Sequence, residues 1–332
     1  MDHVAVIGAG SWGTAVAALA AVQHPVVLWS RRSELAAAIN VTSENEEYLP
    51  GYRLPYGLRA TDDLDEATEG ASLIAMAVPS HGFGDVLSRV ASLPSDLPLV
   101  SLTKGIEETS LRRMTEVIID LLPGHNSQRI GVLTGPNLAV EVMAGHPTAA
   151  VAAIEDEQAA TIVQKTFMGP TFRVYTNPDV VGCELAGSLK NVMAIAAGMS
   201  TGLGFGDNTR AALLTRALAE LTRLGVALGG QPATFAGLAG IGDLIATCTS
   251  AQSRNHRVGV GLAQGRKLDD IIEEMKMVAE GVKTTRAVLD LADRAGVEMP
   301  IATQVGAVLY EGHHPREAVM TLMTRQAKSE SE

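Results

Sequence analysis

The run ELAGSLKNVMAIAAG, residues 184–198, places Lys190 among small and apolar residues. If the run is helical, the neighbours three, four and seven positions away are Gly187, Ala186, Met193, Ala194 and Ala197, none able to pair with an ammonium group. A lysine in water holds its proton with a pKa of ~10.4. Apolar surroundings disfavour the charged form and bring that value toward working pH, where an amine can give or take a proton. The plainer reading is a stem that covers apolar surface while the charged head reaches water.

Other stretches carry groups that bind or move charge. In GLAGIGDLIATCTSAQSRN, residues 237–255, Asp243 has glycine and apolar neighbours. A buried carboxylate needs a partner or serves chemistry, so Asp243 is either a structural ion-pair member or a site residue. Ser253, Arg254 and Asn255 set a hydroxyl, a guanidinium and an amide in succession, which suits a phosphate ester. In Thr103-Lys104-Gly105 a cation follows an apolar run; it points into a crevice beyond a strand's carboxyl end or is simply solvated. Within Thr134-Gly135-Pro136-Asn137-Leu138-Ala139, Gly135 permits close backbone approach and Pro136 fixes the next turn, although a strand exit alone would use the same residues. Val278-Ala279-Glu280-Gly281 puts an acid directly before a glycine turn.

The N-terminal end has a nucleotide signature. HVAVIG (3–8) reads as a strand running into GAGSWG, with Gly8, Gly10 and Gly13 in GxGxxG spacing, a helical pattern after it and a second strand ending at Trp29. That context is what a dinucleotide fingerprint requires: glycines for a sharp turn and close approach to pyrophosphate, and free N–H groups at a helix start. Glycines serving only a tight turn are the alternative. The second strand leads into Trp29-Ser30-Arg31-Arg32, and the first acid is Glu34. A ribose 2′-hydroxyl normally takes an Asp or Glu there, whereas paired arginines suit a 2′-phosphate. NADP(H) is therefore the expected preference, with NAD(H) possible; exposed arginines at a helix start are the competing reading.

The elements that position these residues follow from periodicity. Residues 3–8, 26–29, 72–78, 99–103, 130–134 and 148–154 read as buried strands, with amphipathic segments such as 14–22 and 111–122 between several of them. This alternation predicts an α/β, Rossmann-type, mainly parallel sheet covered on both faces. Residues 44–65 read as an irregular excursion. After FRVYT (172–176), Asn177-Pro178-Asp179 is a turn and capping signal, and the patterns beyond it, including 209–228 and 268–278, are helical. The expected division is a dinucleotide-binding domain over 1–178 and an all-helical substrate domain over 179–332.

Composition excludes several classes. The 332 residues are 46% hydrophobic and carry 26 Lys and Arg against 37 Asp and Glu, a net charge of −11. Such a surface repels nucleic acid and anionic membranes, so an anionic ligand must be held by a local positive site. Cys183 and Cys248 give no disulfide framework, the histidines include no HExxH pair, and no metal site is expected. No apolar run looks long enough to span a bilayer and VAVIGAG lacks a basic n-region, so a cytoplasmic protein without membrane insertion is expected.

The blocks IGAGSWGTA, AVPS, LTKGIE, TGPNLAVEV, ELAGSLKNVMAIAAG, GLGFGDNTRAALLTR, GLAGIGDLIATCTS, SRN and AEGVKT resemble the bacterial-type NAD(P)-dependent glycerol-3-phosphate dehydrogenase family over nearly the whole chain. The resemblance implies a Rossmann domain followed by an all-helical one, a homodimer, and reversible reduction of dihydroxyacetone phosphate to sn-glycerol 3-phosphate for glycerophospholipid synthesis. By that resemblance Lys190 is the catalytic acid/base, and Asp243 could pair with it and orient it, against the desolvation shift. Lys104, Gly135, Asn137, Asp243, Ser253, Arg254 and Asn255 match substrate-binding positions. Ser11, Trp12, Arg31, Arg32, Lys104, Ala139, Arg254, Val278 and Glu280 match the cofactor-binding set. A β-hydroxyacid or 6-phosphogluconate-type dehydrogenase shares the layout, but GIGDLIATCTS and SRN favour glycerol phosphate. A nucleotide-binding redox sensor would have no use for Lys190, Asp243 and Arg254 together.

Overall fold

The computed structural model describes residues 2–90, 93–275, 279–327 and 329. Its main sheet has eight strands: β1 (His3–Ile7), β2 (Val26–Trp29), β5 (Leu58–Thr61), β6 (Ala71–Met76), β7 (Leu99–Ser101), β8 (Ile130–Thr134), β9 (Thr148–Ile154) and β10 (Phe172–Asn177). They lie in the order β10-β9-β8-β7-β6-β1-β2-β5. The order turns back on itself at β1, which pairs in parallel with both β2 and β6. A crevice for a ligand belongs at the carboxyl end of the strands at such a point.

The unbroken apolar strands have the burial they require. Val6, Leu28, Leu73 and Val100 enter the core on one face of the sheet. Their neighbours Ile7, Trp29, Ile74 and Leu99 enter the core on the other. One departure concerns direction. β8 and β9 pair antiparallel, and β9 and β10 are parallel to one another, so the last two strands run against the rest.

A second departure lies in residues 44–65, which are not irregular. Two short strands, β3 (Glu44–Asn45) and β4 (Leu49–Arg53), form an antiparallel hairpin, and β5 then joins the edge of the main sheet beside β2. β3 is two residues long and much of β4 is exposed, so neither leaves a periodic apolar pattern. The hairpin is fixed instead by a long-range contact: fully buried Asn45 donates to the Ala9 carbonyl (2.9 Å) and Thr14 Oγ1 (2.8 Å).

The second half is built around helix Val180–Gly202. Asp179 caps it, accepting from Gly182 N at 2.9 Å, and its other oxygen takes Gln231 N (2.8 Å) and Thr234 Oγ1 (2.5 Å). Contrary to expectation, this helix has the length and hydropathy of a membrane span, yet 94% of its apolar window is buried inside the protein. It is a core helix. Helix Arg254–Ala263 meets it backbone to backbone: a Cβ on Gly198 would sit 2.0 Å from His256 O, and one on Gly259 would sit 2.1 Å from Ile195 O. The small residues of AIAAG are thus used for close helix packing, which holds the amino end of helix Arg254–Ala263 against the core.

Candidate active site

One face of helix Val180–Gly202 docks onto the carboxyl end of the sheet through residues spaced three and four apart. Buried Glu184 takes Thr115 N (2.9 Å), Thr115 Oγ1 (2.6 Å) and Arg113 Nη1 (2.9 Å). Ser188 donates to Gly105 O at 3.2 Å, and Asn191 Nδ2 to Lys104 O at 3.0 Å. Gly187 leaves room for β8 and Lys104: a Cβ there would lie 3.0 Å from Thr134 Oγ1 and 3.6 Å from Lys104 Cγ. Spacing along one helix thereby fixes Lys104 relative to Lys190.

The two lysines meet on one carboxylate. Asp243 Oδ1 lies 3.0 Å from Lys190 Nζ, and Oδ2 lies 2.7 Å from Lys104 Nζ. Lys104 also donates to Gly135 O at 2.9 Å. The Thr247 hydroxyl accepts from Lys190 and donates to Asp243 Oδ1 at 3.2 Å. Asp243 follows a π-helical turn, Leu238–Gly242, and opens helix Asp243–Thr249, which puts Thr247 one turn further on the same face. Lys190 is 4% exposed and Asp243 2%, so the snorkelling reading does not hold. Two ammonium groups against one carboxylate leave the cluster with an excess of positive charge, matched to an anionic ligand.

Burial lowers the Lys190 pKa to about 8; the Asp243 carboxylate pulls it up, and Lys104 adds a further push down. Desolvation therefore wins over ion pairing. Neighbouring Cys248 is also buried, and desolvation pushes its thiol up to about 12, which leaves it a thiol rather than a thiolate.

The Ser253-Arg254-Asn255 run stands at the start of a helix, and its members divide. Ser253 is the N-cap of helix Arg254–Ala263, its Oγ accepting from His256 N at 3.3 Å. Asn255 is buried, donating to Asn191 Oδ1 (3.0 Å) and accepting from Gly281 N (2.9 Å), so it joins three segments of the site. Arg254 keeps solvent access and makes no hydrogen bond or ion pair among the described residues. The protein around it lowers its pKa by desolvation, opposed by the Glu280 carboxylate. Asn137 turns its amide toward β9, donating to Ala149 O at 3.1 Å. Its Oδ1 and the Thr134 hydroxyl are buried without partners among the described residues.

At the other end, the three fingerprint glycines do different things. Gly8 has a φ of +122°, and a Cβ there would lie 2.7 Å from Ala77 O; a Cβ on Gly13 would lie 1.9 Å from Gly8 O. A Cβ on Gly10 would meet nothing within 4 Å. Helix Ser11–Ala21 begins beside that open space with neither a side-chain cap nor an acid in its first turn. Uncapped N–H groups beside open space fit the pyrophosphate of a dinucleotide. Trp12 packs against Phe172 with ring centroids 6.4 Å apart, and Ser11 donates to Tyr48 O at 2.6 Å. Arg31 is exposed, whereas Arg32 is engaged by Glu47 at 2.5 Å. Glu280, at the start of helix Glu280–Ala295, reaches across to Ser80 and accepts from its Oγ at 2.7 Å. Ala139 opens the short helix Ala139–Met143 beyond β8, and Val278 lies outside the described residues.

Sequence reasoning missed Thr247, Asn191, Ser80 and the whole Asn45–Tyr48 turn. Thr247 lies four residues after Asp243, a helical spacing that could have found it. The hairpin carries no comparable signal.

Comparison with known proteins accords with this arrangement. Residues 3–160 match the N-terminal part, and residues 179–320 the C-terminal part, of NAD-dependent glycerol-3-phosphate dehydrogenase. A glycerol-3-phosphate dehydrogenase [NAD(P)+] of Sphingopyxis alaskensis is 55% identical over 91% of this chain and 90% of its own length. A Geobacter relative described by the same activity is 50% identical over 99% of both chains. The crystal structure of glycerol-3-phosphate dehydrogenase from Coxiella burnetii superposes with a TM-score of 0.92 at 39% identity, covering 98% of this chain and 99% of that one. With both halves matched in order, and relatives this similar along nearly the full length, the chain belongs to the NAD-dependent glycerol-3-phosphate dehydrogenase family.

Proposed function

We propose that this protein reduces dihydroxyacetone phosphate reversibly to sn-glycerol 3-phosphate with NAD(P)H, in the supply of glycerophospholipid synthesis, and that Lys190 is its catalytic acid/base. Family membership supports the reaction, and the buried Lys104–Asp243–Lys190 cluster is the observation that carries the assignment of roles. Gly8, Gly10, Ser11 and Gly13 would hold the pyrophosphate, with Trp12, Arg31, Arg32, Ala139, Val278 and Glu280 as further contacts. When bound, the nicotinamide cofactor supplies the hydride that the C2 carbonyl carbon accepts.

The chain's own residues do the rest. Arg254 holds the substrate phosphate and so places C2, with Ser253 and Asn255 fixing the helix start that presents it. Lys104, held by Asp243 and Gly135 O, orients the substrate oxygens beside Asn137. As the C2 oxygen gains negative charge, Lys190 Nζ stabilises it and then transfers a proton to it; in the oxidation direction the neutral amine takes that proton back. Asp243 and Thr247 hold Nζ in place during both directions. The lowered Lys190 pKa makes this transfer accessible near neutral pH.

The arginines that follow β2 support a preference for NADP(H) over NAD(H). Continuous helix from Val180 supports a division at 178/179, and family resemblance supports a cytoplasmic homodimer. The first test is loss of NADPH absorbance on adding dihydroxyacetone phosphate, with NADH in parallel. A faster NADPH trace is expected. Equal or faster NADH would overturn the cofactor preference, and cofactor binding without turnover would overturn the reaction.

A further inference from the structure

The hairpin that follows helix Ser33–Thr42 carries a second acid to Arg32, whose Nε already lies 3.8 Å from Glu34 Oε1. Glu47 sits in the turn between β3 and β4, and its Oε2 lies 2.5 Å from Arg32 Nη2. The Tyr48 ring lies under the same guanidinium, 5.8 Å from centroid to Cζ. This turn is not loosely placed. Asn45 ties it to Ala9 O and Thr14 Oγ1, and Tyr48 O takes the Ser11 hydroxyl, so the turn is anchored to the glycine loop and the first turn of the helix that follows it. Arg32 is the N-cap of the helix after β2, at the position where a ribose is read. Of the two arginines there, Arg31 alone is without a hydrogen bond or ion pair among the described residues.

We infer that Glu47 is a specificity-determining residue, the acid that engages Arg32 and holds the enzyme to dual use of NADP(H) and NAD(H). The inference rests on the proposed cofactor site. A 2′-phosphate must compete with the Glu47 carboxylate for Arg32 and meets its negative charge at close range. A 2′-hydroxyl instead finds in Glu47 the acceptor that NAD-binding sites of this fold place at the end of the second strand. One carboxylate thus weakens the phosphorylated ligand and favours the hydroxylated one. The side chain is 49% exposed and the pair is at the surface, so the isosteric change Glu47→Gln removes the charge without opening the core.

The test is calorimetric binding of 2′,5′-ADP and of 5′-AMP to the full-length protein and to E47Q, joined to kcat/KM for NADPH and NADH. In E47Q the preference for 2′,5′-ADP over 5′-AMP should rise by roughly tenfold, the scale of one charge-assisted hydrogen bond, with the NADPH to NADH ratio moving the same way. An unchanged ratio, or a fall, with both fragments still binding the wild type would overturn the role of Glu47 and leave the cofactor site standing. Failure of the wild type to bind either fragment or to oxidise either cofactor would overturn the site itself and Glu47's role with it. Arg32→Ala supplies a second check: with Glu47 no longer neutralised, the preference should fall below wild type, and a rise would count against the inference.

Discussion

The two poles of the cleft hold charge in opposite ways. At the substrate pole, Lys190 and Asp243 are almost wholly removed from water, both bond to Thr247, and Asp243 accepts from Lys104, which also donates to Gly135 O. At the cofactor pole, Arg31, Arg32 and Glu47 stand at the surface, where water and salt screen them. Charges in a dry site have large individual effects, because removing one strands its partner in low dielectric. Charges in a wet site have small effects that act by difference between similar ligands. A single fold can therefore keep its chemistry fixed while its choice of cofactor is adjusted in small steps.

The largest break in that contrast comes from Lys190→Ala, expected to lower kcat by roughly 10²–10⁴, the usual worth of a general acid. Near wild-type turnover in stopped-flow or steady-state assays would remove Lys190 from the proton-transfer step. Its pH dependence has a definite sign. Reduction needs the protonated amine, so kcat/KM for reduction should be full below about pH 8 and fall as pH rises through that value, while kcat/KM for oxidation rises over the same window. Asp243→Asn removes the charge that holds the Lys190 value up, so the break should move to lower pH. A break that stays put would separate the carboxylate from the titration.

Next in size is the docking of the core helix. Glu184→Ala would leave Arg113 and the Thr115 N–H without their buried acceptor, and a loss of about 3 kcal/mol in denaturant-measured stability is expected. An unaltered midpoint would mean that the helix is held against the sheet by apolar packing and the Ser188 and Asn191 hydrogen bonds without help from Glu184. Arg254→Ala comes after it. A charge-assisted contact to phosphate lost at the cleft wall should raise KM for dihydroxyacetone phosphate by roughly 10–100-fold with a smaller change in kcat. An unaltered KM would argue against a phosphate clamp there.

How much of this was readable from sequence differs between the same two poles. Six of the main strands, all but β5 and β10, were legible because both faces of each are buried or nearly so and the residues say it; β10 alternates buried and exposed positions. Lys190 and Asp243 were legible because a charged residue in an apolar run is chemically odd. Their pairing was left open by sequence, since burial and ion pairing oppose one another and only the depth of the site decides between them. Thr247 and Asn191 were not noticed because a Thr or Asn within a helix is ordinary. At the cofactor pole Arg31 and Arg32 were visible as a pair, but nothing in their spacing tells that one is engaged and one is not. That difference comes in part from Glu34 and chiefly from Glu47, some fifteen positions on, brought back by a hairpin whose anchor, Asn45, is a single polar side chain.

The smallest expected effect is the one that sharpens the contrast most. Arg31→Ala removes a surface cation that no acid among the described residues pairs with, so its loss should be felt by a 2′-phosphate and scarcely by a 2′-hydroxyl. KM for NADPH should rise by roughly tenfold while KM for NADH and kcat with either cofactor stay within about twofold. Because the residue is exposed, the effect on NADPH should shrink as salt is raised from ~0.05 to ~0.5 M, where the screening length drops to a few ångströms. The Lys190→Ala defect, at a side chain that is buried in the protein, should change much less over the same range. If both defects responded to salt alike, the two poles would not differ in dielectric as their burial implies.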